Sequence, residues 1–439
     1  MAGCCPSLCW DGVVTSSDTW SALLAPLRWD RRRHPYSGRR EYSRAARQVL
    51  AAGERVLERG TAAERAALVR SLRTAVDRIT SALQYMDDSS GIVGDDLRAV
   101  MALYARACCA APPPAKTLAT WLVALECDGP GWPEVRLADF APALGEKGLA
   151  LIASLVDARV ATLDEGGWSR QEWAVRDLRE QLARLSGDVD RYVAVLAEHL
   201  THAGRYQLIA QALQENGRVE EAIDWCRRGL AARLSDPKAD GLRDLLVDLL
   251  IATGASDTAL QERRTEFERR PIESTYRALV ATAARVDAEP GPVASWAVEV
   301  LQARVAGDPR YASSLVTVLL AQDRVDEAWA VGLDHRDVLG PSDVLTLLAL
   351  RAATHPQDVL EPYRTLIEGH ILASHDKWRY ERALKLLTPL RAAYLALGDA
   401  AGFAGYLDDL RGRHRIRPTF LRKLDAWQAG GGRLRSAAR

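Results

Sequence analysis

The sequence predicts an all-α protein, a solenoid of stacked helical hairpins wound as a right-handed α-α superhelix. Three observations carry this expectation. Ala, Leu, Arg and Glu, all strong helix formers, dominate the chain, and alternating β-branched runs are nearly absent. Apolar residues recur at spacings of three and four, as in Tyr192, Val195, Leu196 and Leu200, or Leu242, Leu245, Leu246 and Leu249. A short pattern also repeats along the second half of the chain.

Four segments align without gaps: LQENGRVEEA from Leu213, LIATGASDTA from Leu250, LLAQDRVDEA from Leu319 and LALGDAAGFA from Leu395. Each has Leu, then Gly or Asp four residues later, then Ala nine residues after the Leu. This reads as a helix ending at a Gly or Asp turn, then a second helix whose small Ala permits close approach. The starts differ by 37, 69 and 76 residues, or one, two and two periods of a helical-hairpin repeat. Degenerate copies are expected near Pro290 and Pro292, and near His355-Pro356. Such units cannot bury their apolar faces alone and must stack. The pattern resembles tetratricopeptide-like repeats.

In chain order, residues 1–44 carry Pro, Gly, three early Cys and RWDRRRHPYSGRR, and are expected to be a disordered basic segment. A helical domain is expected over 45–189, opening with REYSRAARQVLAAGERVLERG and broken by APPPAKT at 111–117. The solenoid is expected over 190–425. Residues 426–439, ending AGGGRLRSAAR, read as a flexible tail.

The formal net charge of zero and a pI near 7.1 give no global pull toward nucleic acid or an anionic membrane. Arg outnumbers Lys 52 to six, a bias expected of a GC-rich coding sequence. No apolar run approaches the roughly 18 residues of a membrane span, and Asp248 interrupts even LLVDLLIATG. MAGCCPSLCWDGVV lacks the basic n-region of a signal peptide. Seven irregularly spaced cysteines in a long chain point to a reduced, cytoplasmic setting.

The stretch MDDSSGIVGDD at 86–96 concentrates acids and glycines between helical segments. It fails as an EF-hand, because Gly91 at loop position six would put Met86 at the first ligand position. It fails as a P-loop, having no Gly-Lys-Ser/Thr. A junction fits better: Ser89, Ser90 and Gly91 end one helix, and Asp95 and Asp96 in the first turn of the next offset its dipole. His199 and His202 lie three apart on an expected helix but lack the Glu of H-E-x-x-H, so a solvated helix C-terminus is the reading. His370 and His375 are treated alike. Glu220 and Glu221 belong on a wet helix face; Cys108, Cys109 and Cys226 read as small core residues. No nucleophile elbow, dinucleotide fingerprint or kinase set occurs. The twelve Trp, among them Trp121, Trp132, Trp225, Trp296, Trp329 and Trp378, are expected as inter-helix wedges, with one or two on the concave face.

DDSSG followed by a helix ending YARAC, then LATWLVALECDGPGWPEVRLADFAPALGEKGLA, resembles the region downstream of the zinc finger in bacterial SWIM zinc-finger proteins. The similarity continues through RYQLIAQALQENGRVEEAIDWCRRGLAA, HPQDVLEPYRTLIEG and YLDDLRGRHRIRPTFLRKLD, covering residues 45–425. That resemblance implies a Cys-x-Cys … Cys-x-His zinc motif that binds nucleic acid or protein. The motif is absent here, so no zinc ligand carries over, and the resemblance implies a chain that starts after it. Cys4, Cys5, Cys9 and His34 could supply four ligands, but adjacent cysteines are poorly spaced to chelate one ion.

The expectation is therefore a non-enzymatic helical-repeat scaffold for protein–protein interaction. The sequence marks no catalytic, cofactor-binding or metal-ligating residues and no cofactor. A protein or peptide is the expected partner, with no membrane. Nucleic acid is a secondary expectation through the basic ends, RWDRRRHPYSGRR with Tyr36 and RGRHRIRPTFLRK with Phe420. The alternative reading is a zinc-finger-associated nucleic-acid-binding regulator whose metal motif is missing or encoded upstream.

Overall fold

Helix-forming composition and three-to-four periodicity produce a chain in which every described element is a helix or a turn between helices. A computed structural model describes residues 17–30, 34, 38–161, 169–232 and 239–430. The chain divides into two compact units, Met1–Leu242 and Arg243–Arg439. The expected boundary at 189/190 thus falls inside the first unit.

The first unit carries α1 (Ser17–Leu24), α2 (Arg39–Arg59), α3 (Ala62–Leu83), α4 (Ile92–Ala110), α5 (Ala115–Asp128), α6 (Leu137–Val160), α7 (Arg170–Leu185), α8 (Val189–Ala197), α9 (Ala203–Glu215) and α10 (Val219–Ala231). Neighbours in sequence are neighbours in space: α3 packs on α4, α5 on α6, α6 on α7 and α9 on α10, while α4 also contacts α2 and α6. Local chemistry sets the ends. Thr61 and Glu64 form a reciprocal capping box at the start of α3, and Ser169 and Asp188 cap α7 and α8.

Residues 17–27 correct the expectation of disorder through residue 44. Trp20, Leu24 and Leu27, spaced four and three apart, are buried in the core of the first unit, and the Tyr42 hydroxyl donates to the Leu27 carbonyl at 3.0 Å. Arg78 Nη1 donates to the Leu24 carbonyl at 2.6 Å. The rest of that segment, 1–16, 31–33 and 35–37, lies outside the described residues.

Helix α11 (Ala239–Ala252) crosses the division. The second unit then carries α12 (Ser256–Arg269), α13 (Glu273–Arg285), α14 (Pro290–Gly307), α15 (Ala312–Ala321), α16 (Val325–Asp334), α17 (Pro341–Thr354), α18 (Leu360–Leu372), α19 (Arg379–Ala396), α20 (Ala400–Arg413) and α21 (Pro418–Ala429). From α12 to α17 each helix packs on the next, and α13 on α15 and α15 on α17. A 3-10 turn, Pro356–Val359, touches α17, α18 and α19 and carries the stack onward to the pairs α18–α19, α19–α20 and α19–α21. Contact between each helix and its first and second neighbours is the signature of stacked hairpins, the architecture expected from the sequence. Two cores fill this unit, one around Phe267, Leu301 and Leu319, the other around Tyr363, Leu387 and Phe420, and Trp329 packs against both. Residues 426–429 depart from the expected flexible tail, since α21 runs to Ala429 and Trp427 is buried; residues 431–439 lie outside the described residues.

The repeated turn has one geometry. Gly217, Gly254, Asp323 and Gly398 all have positive φ, between 56° and 80°. After each, a backbone N–H closes back five positions: Arg218 to Leu213 at 2.9 Å, Ala255 to Leu250 at 2.8 Å, Arg324 to Leu319 at 3.0 Å and Asp399 to Tyr394 at 3.0 Å. This is the Schellman C-cap, and glycine suits it because its left-handed residue bears no Cβ penalty. The last copy is therefore registered on Tyr394, not Leu395. Tyr394 is 1% exposed and Leu395 53%. The degenerate copy expected near Pro290 is present as Ala283–Asp287, with Asp287 at φ 52° and Ala288 N–H bonded to the Ala283 carbonyl. Ala222, Ala259 and Ala328, the small residues of the pattern, are fully buried.

Candidate functional site

The acidic stretch at 86–96 is a helix junction. Asp88 accepts the N–H groups of Val93 and Gly94 at 3.2 and 2.7 Å, capping α4. Gly91 takes the left-handed turn at φ 72°. Asp95 pairs with Arg98 in the first turn of α4. Asp96 departs from its expected role at the helix dipole: it is 5% exposed and accepts Ser43 Oγ at 2.5 Å and Arg47 Nε at 3.0 Å from α2. The two adjacent aspartates thus do different work, one holding a helix end and the other joining two helices.

Among the described residues, no group of three His, Cys, Asp or Glu is placed to hold a metal ion. Cys4, Cys5 and Cys9 lie outside the described residues, as does Tyr36. His199 and His202 sit in the turn between α8 and α9 and not on a helix, because α8 stops at Ala197. His370 lies on α18, where burial and then Arg382 hold its pKa below the usual range; His375 lies in the turn that follows α18. Glu221 is bonded to Arg218 in the first turn of α10, which lowers its pKa, and Glu220 lies beside it on the exposed face. Cys108 and Cys226 are core residues whose thiols burial pushes up to about 12, but Cys109 is exposed.

Four groups of the C-terminal basic segment, expected as a phosphate-binding end, are paired internally, while Arg415, Arg417 and Arg422 form no ion pair with a described residue. Arg411 pairs with Asp408 and Asp425 at 3.3 and 3.0 Å. Arg413 pairs with Glu368 and Asp409 at 2.9 and 3.2 Å. His414 Nε2 lies 2.5 Å from Glu368 Oε2, and Lys423 is bound to Glu381. Phe420 is fully buried against Tyr380 and His414. An aromatic locked in the core cannot stack on a base.

In the second unit, the described side chains converge instead on a two-part groove. Its apolar end, about 350 Å³, lies between α16, α17 and α18 and is walled by Trp329, Leu333, Leu339, Val344 and Leu366. Its charged end, about 540 Å³, lies between α18 and α20 and is lined by Arg364, Glu368, Tyr406, Asp409 and Arg413. Glu361 and Thr365 line both parts. Glu361, Thr365 and Glu368 share one stripe of α18 because their spacing is four and three.

Packing opens and stiffens this groove. Gly405 on α20 has nothing within 4 Å of where a Cβ would stand, which leaves the charged end wide. Gly332 is required for a different reason: a Cβ there would come within 2.6 Å of Leu347 Cδ1. Arg364 stacks with its guanidinium 5.5 Å from the Tyr394 ring and 5.4 Å from the Tyr406 ring, and donates to the Tyr394 hydroxyl. The Tyr406 hydroxyl is buried without a hydrogen-bond partner among the described residues, and burial raises its pKa above the ordinary tyrosine value. Arg351 lies 5.7 Å from the Trp329 ring and is anchored by Asp326 and Asp358. Leu333 is 52% exposed, an accessible apolar contact on the groove wall. Trp329 is half-buried, lining the apolar cleft while packing against both cores of the unit. The groove as a whole escaped sequence reading, because its walls come from α16, α17, α18 and α20, helices spread along the chain.

The fold and this groove define a class: an all-α helical-hairpin repeat protein with a lined face. The chain belongs to a family of unknown function, DUF6880, whose model matches residues 46–423. That match takes the place of the expected membership among SWIM zinc-finger proteins, for which the comparisons provide no support. No curated protein matches the chain. Among solved structures, the chain is similar to one in a Naa15/Naa10 assembly bound to HypK-THB, with 14% identity and a TM-score of 0.32, covering 87% of this chain and 62% of that one. The chain thus spans less than two thirds of that protein's length. It is also similar to a human IFIT1 dimer with PPP-AAAA, with 11% identity and a TM-score of 0.21, covering 89% of this chain and 98% of that one. No helix among the described residues is long and apolar enough to cross a membrane.

Proposed function

We propose that the protein is a non-enzymatic scaffold that holds a protein or peptide partner along the groove of its second unit. The observation that carries this reading is that an apolar cleft and a charged one lie side by side, sharing Glu361 and Thr365 of α18 in their linings. Helix-repeat faces bind extended segments or helices, with apolar anchors supplying affinity and charges setting register. Here Trp329, Leu333 and Leu366 would take the anchors, and Arg364, Glu368 and Arg413 would orient the polar end. The four described cysteines are unpaired, and Cys108, Cys127 and Cys226 are buried, in keeping with a reducing, cytoplasmic setting.

The test is selection of binders to the full chain from a random displayed peptide library, followed by affinity measurement on Leu333→Glu and Thr365→Trp. Both positions are exposed, so neither change should unfold the protein. Loss of about tenfold or more, which is about 1.4 kcal/mol, with no effect of the distant Glu299→Lys, is the expected result. Selected peptides that bind both groove variants unchanged would reject the reading.

A further inference from the structure

The first unit carries a second feature, which shares no residue with the groove. Arg40, Arg44 and Arg47 lie on one exposed stripe of α2, spaced four and three, so they span about 10 Å of helix at a rise of 1.5 Å per residue. With Gln48, Ala51 and Ile92 they line a concavity of about 470 Å³.

Arg40 and Arg44 form no ion pair with any described residue. Arg47 is held differently. Its Nε is tied at 3.0 Å to Asp96, a buried carboxylate that also accepts the Ser43 hydroxyl, while 65% of the Arg47 side chain stays exposed. That leaves its terminal nitrogens facing outward on a fixed stem. Three cations against one buried anion give the concavity a surplus of positive charge. Helix capping does not account for it: Arg40 in the first turn opposes the dipole, and Gly38 offers no side-chain cap there.

We propose that this concavity binds a phosphorylated side chain on a peptide segment. Guanidinium forks match phosphate oxygens in pairs, and arginine clusters are a general means of reading phosphorylated or acidic segments. The walls favour a peptide over a nucleic-acid strand. Ile92, Ala51 and the arginine stems give an apolar floor, and among the described residues no aromatic side chain lines the site to stack on a base.

The test passes a degenerate phosphoserine and phosphothreonine peptide library over the immobilised full chain, beside the same library after phosphatase treatment. Arg40→Ala/Arg44→Ala is the test variant, and Arg415→Ala/Arg422→Ala is the charge-matched control. Retention of the phosphorylated pool should exceed that of the treated pool by about tenfold or more. It should fall to the treated level in the test variant alone and weaken with added salt. Equal retention of both pools, or retention unchanged by the double substitution, would overturn the proposal. So would tighter, Arg40- and Arg44-dependent binding of a single-stranded RNA 12-mer, which would reassign the site to nucleic acid. Groove variants Leu333→Glu and Thr365→Trp should leave phosphopeptide retention intact, which separates failure here from failure of the groove reading.

Discussion

Glu266 is the most exacting test of how the second unit is held together. Its side chain is 4% exposed, and three guanidiniums surround it: Arg243 Nη2 and Arg269 Nη2 at 2.9 Å, and Arg270 Nε at 3.1 Å. Arg243 is itself only 11% exposed, and burial lowers its pKa while Glu266 opposes that shift. Removing one partner of a buried pair leaves the other charge desolvated, at a cost of about 3–5 kcal/mol. Glu266→Ala should therefore destabilise α11–α13 by about that amount. Glu266→Gln keeps an acceptor and loses only the charge, so it should cost about 1.5–3 kcal/mol. Glu266→Ala with Arg243→Met should recover much of the loss, since the orphaned cation is then gone. Two compact units make a single two-state melt unsafe, so amide hydrogen exchange over residues 256–285 is the appropriate assay. A Glu266→Ala protein whose exchange there is unchanged, or no rescue in the double variant, would refute the argument.

Glu126 in the first unit is 2% exposed and Asp177 is partly buried nearby; burial raises both pKa values, with Glu126 partly relieved by the Val135 N–H at 3.0 Å. A carboxyl whose folded pKa is raised binds more protons when folded, so stability should fall as pH rises from the ordinary carboxyl range through the folded values. Glu126→Gln, which keeps the Val135 bond, should flatten that slope and raise Tm at neutral pH; an unchanged slope in thermal melts would count against it. Gly254 sits at φ 80° and Asp323 at φ 56° in equivalent turns, so Gly254→Ala should destabilise by about 1–2 kcal/mol while Asp323→Gly should be neutral or stabilising by up to about 1 kcal/mol. Urea midpoints of the two variants should move in opposite directions. Ala328 is fully buried, and Ala328→Leu should cost about 1–3 kcal/mol by overpacking, read as faster hydrogen exchange in α15 and α16. Thr61→Ala should cost about 1 kcal/mol through loss of the α3 capping box, seen as fraying of that helix's first turn.

Much of the architecture was legible because it is local. Helical periodicity, the Gly and Asp turns and the buried Ala of each repeat depend on residues within ten positions of one another, and that is the range sequence patterns report. The last repeat slipped by one because Leu395 and Leu397 follow Tyr394 with equally apolar side chains; only the left-handed Gly398 and the Asp399 N–H bond five positions back to Tyr394 select the register. Residues 17–27 escaped because their three apolar contacts are meaningful only against Tyr42 and Arg78, whose places depend on the packing of α2 and α3.

Charge was the least legible property. RGRHRIRPTFLRK reads as a basic end, yet Glu368, Glu381 and Asp425, two of them some forty residues upstream, neutralise four of its groups. Arg40 and Arg44 look no different in the sequence and remain without an ion-pair partner among the described residues. The sequence by itself determined the secondary structure, the hairpin repeat and the small residues at helix contacts, because these follow from backbone and nearest-neighbour sterics. Which charges are spent, which apolar residues face solvent and where alternate helices line a groove were decided by tertiary packing, since each depends on groups that the fold brings together from distant parts of the chain.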